Sequence, residues 1–331
     1  MFPIFKLPIV ALQETLDIFE FQDLVLLSFC SAKTCQILKT TRSMKIGLEL
    51  HADCGRGTVT LGQNDSMQDI VLGAVKQDHP CLTSKGTIKI RGMTVSIGEV
   101  RHKNFSIGPL HMATFWNDPI LGFQTIMEYL QDLFRIEIHT IVFGRDTFWI
   151  VDWIQERQNA VQRAYTKAGE SLNAKEYDQV MKTCKAKELV LNACPLGDFK
   201  YTGGLDFREC IHIAYGMWIT LENLLEINAP DVYVKRSELT NKDVNQLLKK
   251  WLAGGLSKLK FLKVWLIETD AEVILHGMNV ETKPGRTYYR KYGWPYEFKD
   301  HQELQRSDGA TASIEVNPHA FTFAVWPDCS A

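Results

Sequence analysis

The spacing of apolar residues changes twice along this chain, and each change predicts a different kind of secondary structure. Between residues 8 and 41, apolar residues recur at three- and four-residue steps, as on one face of a helix: Ile9, Leu12, Leu16 and Phe19. Pro8 suits a helix start, because proline lacks an N–H group that a first helical turn leaves unpaired anyway. With Asp23 and Ser31 as N-caps of the next two helices, the stretch predicts three short helices.

A second pattern, alternation of apolar and polar residues, runs from about residue 44 to 110 and is typical of β-strands. Residues 87–91 and 94–97 alternate in this way on either side of Gly92-Met93. Glycine in the first position of a two-residue connection favours a type II′ hairpin. A meander or small sheet is therefore expected after the helices.

Beyond residue 117, helical and strand patterns alternate, starting with Asp118 and Pro119 as the cap and first turn of a helix. Strands are expected at 136–143, 188–194, 221–228 and 259–267, and residues 158–173 are expected to form a boundary or long loop. Helices that cross between parallel strands would cover one face of the sheet. The pattern favours an irregular leucine-rich-repeat-like α/β region. A Rossmann-type sheet is the alternative, although no G-x-G-x-x-G follows any strand.

Residues 240–255 specify one helix in detail. Thr240 and Asp243 approximate a capping box, and Gly254 supplies the left-handed exit that commonly ends a helix. The apolar stripe between them is Val244, Leu247, Leu248, Trp251 and Leu252. Such a stripe predicts burial against the core.

The N-terminal stretch resembles an F-box through Leu7-Pro8, Leu16, Asp23-Leu24, Leu27-Ser28 and residues 30–34. In that family, three helices dock a Skp-type adaptor and thereby join cullin and RING subunits in a ubiquitin ligase. The resemblance implies these adaptor-binding residues: Leu7, Pro8, Ile9, Leu12, Leu16, Leu24, Leu27, Ser28 and Lys33. From spacing alone, a three-helix subdomain packed on its own protein is the alternative.

A second resemblance lies in the C-terminal half. From residue 239 onward, the sequence resembles the type-2 F-box-associated domain of the nematode-type F-box family. The segments that carry the resemblance are Leu-Thr-Asn-Lys-Asp-Val-Asn, then Leu-Leu-Lys-Lys-Trp-Leu, then Gly-Gly. Residues 273–278 and 308–316 resemble later parts of that domain, so the resemblance is best over 190–327. It implies a region that recruits an unknown target protein for ubiquitination.

Together these patterns predict an α+β or α/β chain in which a three-helix F-box is followed by a β-rich segment and then by the α/β region, which ends in a β-hairpin. The expected division is 1–45, 46–115 and 116–331, the last being the target-recruiting part. The resemblances imply a substrate-recognition adaptor of a Skp-cullin-F-box ubiquitin ligase, which needs no catalytic residue of its own. No hydrolase, phosphate-loop or metalloprotease motif occurs, so no catalytic residue is assigned.

Charge and cysteine content limit the binding partners and the cellular compartment of this protein. The chain has 37 basic and 39 acidic residues and a net charge of -2, which attracts it to neither nucleic acid nor anionic membrane. Its eight cysteines contain no C-x-x-C pair, which is typical of reduced thiols. Acidic residues interrupt the apolar stretch 7–29, so neither a signal peptide nor a membrane span fits. A cytoplasmic or nuclear protein is expected.

Two short histidine–cysteine runs, 51–54 and 78–81, offer metal ligands but lack the paired second half of a structural zinc site. We therefore expect no metal and no other cofactor. His139 and His212 stand among apolar neighbours, and we interpret each as a hydrogen-bonded histidine.

Cations and aromatic residues interleave in segment 283–296. Its possible substrate-binding residues are Arg286, Tyr288, Arg290 and Trp294. The same mixture can stack bases and neutralise phosphates, so a nucleic-acid-binding or general interaction module is the alternative function. A hairpin edge whose lysines discourage aggregation is the structural alternative.

Overall fold

The computed structural model describes residues 4–41, 47–63, 69–78, 83–100, 111–205 and 209–328. The chain divides into two compact units, Met1–Phe143 and Gly144–Ala331. Each unit combines helices with a mixed sheet, which confirms the predicted α+β class. No helix within these described ranges is long and apolar enough to cross a membrane. The finer division at residues 45 and 115 stays a prediction.

The first unit contains four α-helices among its described residues, preceded by a 3-10 turn at Ile4–Lys6. The helices are α1 (Ile9–Asp17), α2 (Phe21–Phe29), α3 (Ala32–Thr41) and α4 (Pro119–Phe134). The strands are β1 (Leu48–Asp53), β2 (Thr58–Gln63), β3 (Asp69–Lys76), β4 (Thr83–Ile90), β5 (Met93–Val100), β6 (His111–Trp116) and β7 (Ile138–Phe143). They form a sheet in the order β7-β1-β2-β3-β6-β5-β4, parallel at β7–β1 and β3–β6 and antiparallel elsewhere. This confirms the small sheet that the alternating pattern predicts.

Two of the three helix starts predicted in the N-terminal stretch are confirmed. Helix α1 begins directly after Pro8, and the Ser31 hydroxyl accepts a hydrogen bond from the Thr34 N–H group at 3.0 Å, as an N-cap does. The cap predicted at Asp23 is wrong, because α2 begins earlier, at Phe21, with Glu20 before it. Asp23 lies in the first turn, where its negative carboxylate stabilises the helix by interacting with the positive end of the helix dipole.

The hairpin between β4 and β5 differs from the predicted type. Ile90 pairs with Met93, so the two connecting residues are Arg91 and Gly92 rather than Gly92 and Met93. Both have positive φ, 47° and 86°, which makes the turn type I′. The expected II′ turn is therefore wrong, although glycine still supplies left-handed backbone at the tip.

Helix α4 is the main helical element packed on this sheet. Its start is as predicted, with the Asp118 carboxylate accepting from the N–H groups of Ile120 and Leu121 at 2.9 and 3.3 Å. Glycine is required at position 122, since a β-carbon there would lie 2.4 Å from Cγ of the Trp116 ring. The tight contact brings α4 against β3 and β6 and buries one side of the sheet.

The second unit has the helices α5 (Trp149–Gln155), α6 (Ala174–Thr183), α7 (Leu221–Leu225), α8 (Asn241–Leu252) and α9 (Ala271–Ile274) among its described residues. Its main sheet consists of β8 (Val161–Thr166), β10 (Ala186–Leu191), β12 (Cys210–Ile213), β13 (Asp231–Val234), β14 (Phe261–Trp265), β15 (Glu281–Lys283), β18 (His301–Gln305), β19 (Thr311–Asn317) and β20 (Ala320–Val325). Two small pairs are β9 (Ser171–Leu172) with β11 (Cys194–Pro195), and β16 (Arg286–Tyr288) with β17 (Tyr296–Phe298).

This sheet changes from parallel to antiparallel at β14. Strands β8, β10, β12, β13 and β14 are parallel neighbours in that order. Strands β20, β19, β18 and β15 then continue the sheet by antiparallel pairing. The parallel half is the predicted leucine-rich-repeat-like stack, and the antiparallel half contains the predicted terminal hairpin, β19 with β20.

Two predicted segments of this unit are wrong. Residues 158–173 hold strand β8 rather than a loop, and its buried residues Val161, Ala164 and Thr166 do not alternate regularly with less buried ones, so no period-two pattern marks the strand in the sequence. Residues 221–228 hold helix α7 rather than a strand. There the Asn223 side chain donates hydrogen bonds to the carbonyl oxygens of Tyr201 and Gly203, both at 3.0 Å, so a tertiary contact fixes the helical turn.

Helix α8 follows the predicted pattern closely. The Thr240 hydroxyl accepts from the Asp243 N–H group at 3.3 Å, and the Asp243 carboxylate accepts from the Thr240 N–H group at 2.7 Å. Gly254 has φ of 89° at the exit, and Trp251 on the apolar stripe is 1% exposed. The capping box, the stripe and the left-handed exit are all confirmed.

Replacing Thr240 by alanine removes the hydroxyl acceptor but no buried apolar group. We expect Thr240→Ala to lower the free energy of unfolding by about 1 kcal/mol, whereas Thr240→Ser keeps the acceptor and nearly all of the stability. Urea unfolding followed by circular dichroism measures both variants. An equal loss in the two would contradict the capping role.

Candidate functional site

The nine N-terminal residues that the sequence singled out lie at different depths. Pro8, Ile9 and Lys33 are exposed, Ile9 to 60%. Leu7 and Leu27 are half-buried. The other four are buried: Leu12, Leu16, Leu24 and Ser28. Leu16, which the F-box resemblance places among the adaptor-binding residues, is thus buried within this chain. Binding of an adaptor to this stretch stays a prediction.

The buried members of that set hold the helices together. Leu16 and Leu24 are 0% and 1% exposed. The Ser28 hydroxyl bonds the Val25 carbonyl oxygen at 2.5 Å and accepts from the Tyr129 hydroxyl at 2.7 Å, which ties α2 to α4. Burial raises the pKa of Tyr129, so its hydroxyl keeps its proton and remains a donor.

Other apolar residues of this stretch are exposed, and the sequence analysis missed them. We call the exposed set the N-terminal apolar surface: Phe5, Ile9, Val10, Ile18 and Leu26. These are five of the twelve large hydrophobic residues that are exposed in the described part of the chain, although residues 4–41 are a small share of it. Exposed large apolar residues are thus more frequent in this stretch than in the rest of the described chain.

In the second unit, the parallel strands place polar and aromatic side chains on one face. His212, Tyr233 and Lys263 are direct neighbours across β12, β13 and β14. Each is only half-buried, whereas Ile211, Val232 and Leu262, one residue earlier and on the opposite face, are buried. The helices therefore cover one face, and the other presents a continuous row of side chains.

Aromatic rings and ammonium groups alternate along this row. We call it the cation–aromatic face: His212, Tyr233, Lys235, Lys263, Trp265 and Tyr296. The Tyr233 ring lies 5.1 Å from the His212 ring and 4.8 Å from the Trp265 ring. Lys263 Nζ lies 4.7 Å from the Trp265 ring and 4.6 Å from the Tyr296 ring, within cation–π range.

Positive charge dominates the electrostatics of this face. Burial, and then the charges of Arg290 and Lys235, lower the pKa of His212 to about 4, so its imidazole is neutral at pH 7. Burial also lowers the pKa of Lys263, which Arg290 and Lys235 lower further and Glu315 raises. The face is thus suited to hold carboxylates or other anions beside its rings.

Arg290, a predicted substrate-binding residue, lies beside the rings of this face, 6.0 Å from the Tyr233 ring, in a structural ion pair. Its Nε and Nη2 atoms donate to the two oxygens of Asp231 at 2.9 and 2.7 Å, and both side chains are below 10% exposed. Its guanidinium also lies 4.2 Å from the Phe261 ring. Burial raises the pKa of the Asp231 carboxyl, and the hydrogen bonds from Arg290 oppose that rise. The pair leaves Arg290 little capacity for a ligand.

The other three predicted residues of segment 283–296 differ widely in exposure. Tyr288 is 1% exposed, and its hydroxyl lies 3.2 Å from the Lys260 carbonyl oxygen. Arg286 stacks on the Trp326 ring at 3.5 Å and contacts Glu303 at 3.3 Å. Trp294 is 89% exposed. Recognition of a substrate by this set stays a prediction, for which Trp294 is the accessible residue.

One group of possible metal ligands lies beside the ion pair: Glu188, Cys210 and His212. Two arginines already supply positive charge there, since Arg163 Nε lies 3.0 Å from Glu188 and Arg290 Nη2 lies 3.2 Å from His212 Nε2. Burial raises the pKa of Cys210, which keeps its thiol protonated. The guanidinium groups thus supply the positive charge that a metal ion would otherwise supply to these side chains.

Part of the second unit is similar to a known protein family. Residues 205–264 match the sequence profile of a family described as F-box associated, and this range includes β12, β13 and all but the last residue of β14. No solved structure matches the chain.

Two proteins of Caenorhabditis elegans are similar to the chain. The Skn-1 dependent zygotic transcript 15 protein is 24% identical over an alignment of 202 residues, which covers 57% of this chain. The chain spans 58% of the length of that relative. The second, described as uncharacterized, is 22% identical over an alignment of 357 residues including gaps, which covers 99% of this chain and 78% of that protein.

The depressed pKa of His212 predicts a pH dependence of stability. A histidine has a pKa near 6.5 in the unfolded chain and about 4 here, so the unfolded chain binds the extra proton between these values. Stability is therefore full above pH 6.5 and falls toward pH 4. Between pH 7 and pH 4.5, the free energy of unfolding should fall by about 1 to 3 kcal/mol less in His212→Gln than in the unaltered chain. Urea titrations at the two pH values measure the free energy of unfolding of each protein. An identical decrease in the variant and the unaltered chain would contradict a neutral buried His212.

Proposed function

We propose that this chain is a non-catalytic substrate-recognition adaptor of a Skp-cullin-F-box ubiquitin ligase, which binds a target protein through its F-box-associated part. The observation that carries the proposal is the F-box-associated match at residues 205–264, because that range includes His212, Tyr233, Lys235 and Lys263 of the cation–aromatic face. A protein-interaction role fits a surface of rings and ammonium groups that remains half exposed.

The N-terminal end would bind the Skp-type adaptor and, through it, the cullin and RING subunits. Exposed Pro8 and Ile9 at the start of α1, together with Lys33, are the predicted adaptor-binding residues that a partner can reach. Val10 extends the exposed apolar area next to Ile9. Buried Leu16 and the other core residues would act indirectly, since they fix the helices that present this surface.

The cation–aromatic face would bind the target. Lys235 is exposed, and its Nζ lies 5.6 Å from the rings of both Tyr233 and Trp265. A protein segment that carries carboxylates next to apolar or aromatic side chains would meet complementary groups at this face. Tyr296, whose hydroxyl donates to Glu315, would form one border of the site.

Nucleic-acid binding, the alternative that the sequence left open, would need accessible cations in segment 283–296. Arg286, Arg290 and Lys291 instead contact Glu303, Asp231 and Glu209 at 3.3, 2.7 and 2.5 Å. These carboxylates neutralise the charge that phosphates would need. The geometry therefore favours the protein-binding proposal.

The adaptor proposal predicts a specific loss of binding. A carboxylate at position 9 would be desolvated in an apolar interface, so Ile9→Asp should weaken binding to a purified Skp-type adaptor at least about tenfold. Isothermal titration with the full chain measures the affinity. Ile267→Asp is the matched control, because Ile267 is a 76% exposed isoleucine of the second unit. The proposal fails if the unaltered chain does not bind, or if Ile9→Asp binds as well as Ile267→Asp.

The proposal that the cation–aromatic face binds the target predicts a loss of target binding when a charge on that face is reversed. Reversing charge in Lys235→Glu should reduce, by roughly fivefold or more, the recovery of proteins that co-purify with the chain under proteasome inhibition. Adaptor recovery should not change. Lys242→Glu on α8 is the matched control, since Lys242 is an exposed lysine outside the cation–aromatic face. Equal recovery with both variants would exclude this face as the target site.

A further inference from the structure

Three side chains that are distant in sequence converge on one point of the first unit. Glu49 and His51 are two residues apart on β1 and so project from the same face of the strand. His139 lies on β7, the parallel neighbour of β1. His51 Nε2 is 3.2 Å from Glu49 Oε2, and His139 Nε2 is 3.5 Å from Glu49 Oε1. The carboxylate therefore lies between two imidazoles.

These distances fit a shared metal ion. Ligand atoms about 2.0–2.2 Å from a tetrahedral zinc ion are separated from one another by roughly 3.3 Å. One ligand atom from each of the three residues lies within 4.8 Å of the other two. Two histidines and one glutamate are a donor set that zinc uses, with a water molecule at the fourth position.

Neighbouring residues orient the ligands. His139 Nδ1 lies 2.9 Å from the Thr140 hydroxyl, a hydrogen bond that fixes the ring and turns Nε2 toward Glu49. Such a bond at the second ring nitrogen is typical of a metal-binding histidine. Opposite Glu49 on β2 lies Gly62, which brings no side chain to this point. All three ligands thus stand on strands, which hold them more firmly than loops would.

The burial of the group favours a cation. The side chains of His51, Glu49 and His139 are only 6%, 14% and 21% exposed. A carboxylate in such surroundings is stabilised by positive charge close to it. The imidazole nitrogens of His51 and His139 lie within 3.5 Å of the Glu49 oxygens, and a metal ion bound by these atoms would supply such charge.

We propose that Glu49, His51 and His139 form a binding site for a divalent transition-metal ion, of which Zn²⁺ fits the donor set best. The ion would join β1 to β7 and so stabilise the first unit. The site replaces the expectation that the chain binds no metal, and it is independent of the proposed ligase function. Sequence inspection of residues 51–54 could not find it, because two of the three ligands lie outside that run.

Titration of the full chain with Zn²⁺ tests the proposal. We expect one ion per chain and a raised thermal midpoint, since the ion binds the folded state. His51→Gln and His139→Gln should each weaken binding by at least about a hundredfold, and Thr140→Val by about tenfold. His276→Gln is the matched control, because His276 is an exposed histidine of the second unit, and it should bind as the unaltered chain does.

Co²⁺ provides a spectroscopic check on the ligands, because thiolate ligation adds an intense charge-transfer band that nitrogen and oxygen ligands lack. We expect ligand-field bands without that feature. If His51→Gln does not fold, the half-buried His139 supplies the deciding variant. Three results would overturn the proposal: no Zn²⁺ binding below about millimolar concentration, a thiolate band, or equal affinity in His139→Gln and His276→Gln. The first would mean that the three residues form only a proton-sharing Glu–His group.

Discussion

Parallel pairing of β8, β10, β12, β13 and β14 is the constraint on which the rest of the second unit depends. Each parallel step needs a crossover, and crossovers of one hand return on the same side of the sheet. Helices therefore bury the side of Ile211, Val232 and Leu262. On the opposite side, segment 286–298 packs over Asp231 and Phe261. The cation–aromatic face lies beside that segment.

The Arg290–Asp231 pair determines what that face can bind. A bidentate, buried ion pair keeps a guanidinium beside the rings without exposing it. Its charge and that of Lys235 help to keep His212 neutral, because a further proton there would meet like charge. The exposed ammonium group of Lys235 and the half-exposed one of Lys263 then remain as the polar contacts between aromatic rings.

Local signals in the sequence predicted much of the fold, whereas tertiary contacts account for the failures. Thr240 and Asp243 specify a helix start through bonds three residues apart, so the start can be read from the sequence. Helix α7 depends on Asn223 reaching Tyr201 and Gly203, which no local pattern reveals. The same holds at the candidate sites: Arg290 meets Asp231 across 59 positions, and this pairing removes it from the accessible surface.

Site-directed photo-crosslinking tests the central claim, which is that the cation–aromatic face recruits the target. A photoreactive aromatic residue in place of Trp265 reports on that face, and the same residue in place of exposed Lys242 on α8 reports on another surface. Under proteasome inhibition, we predict that the photoreactive residue at position 265 captures a target protein. The same protein should accumulate, without the inhibitor, in cells that express the Ile9→Asp variant, which does not bind the adaptor. Capture of such a protein from the Lys242 position alone, or equally from both positions, would contradict the account.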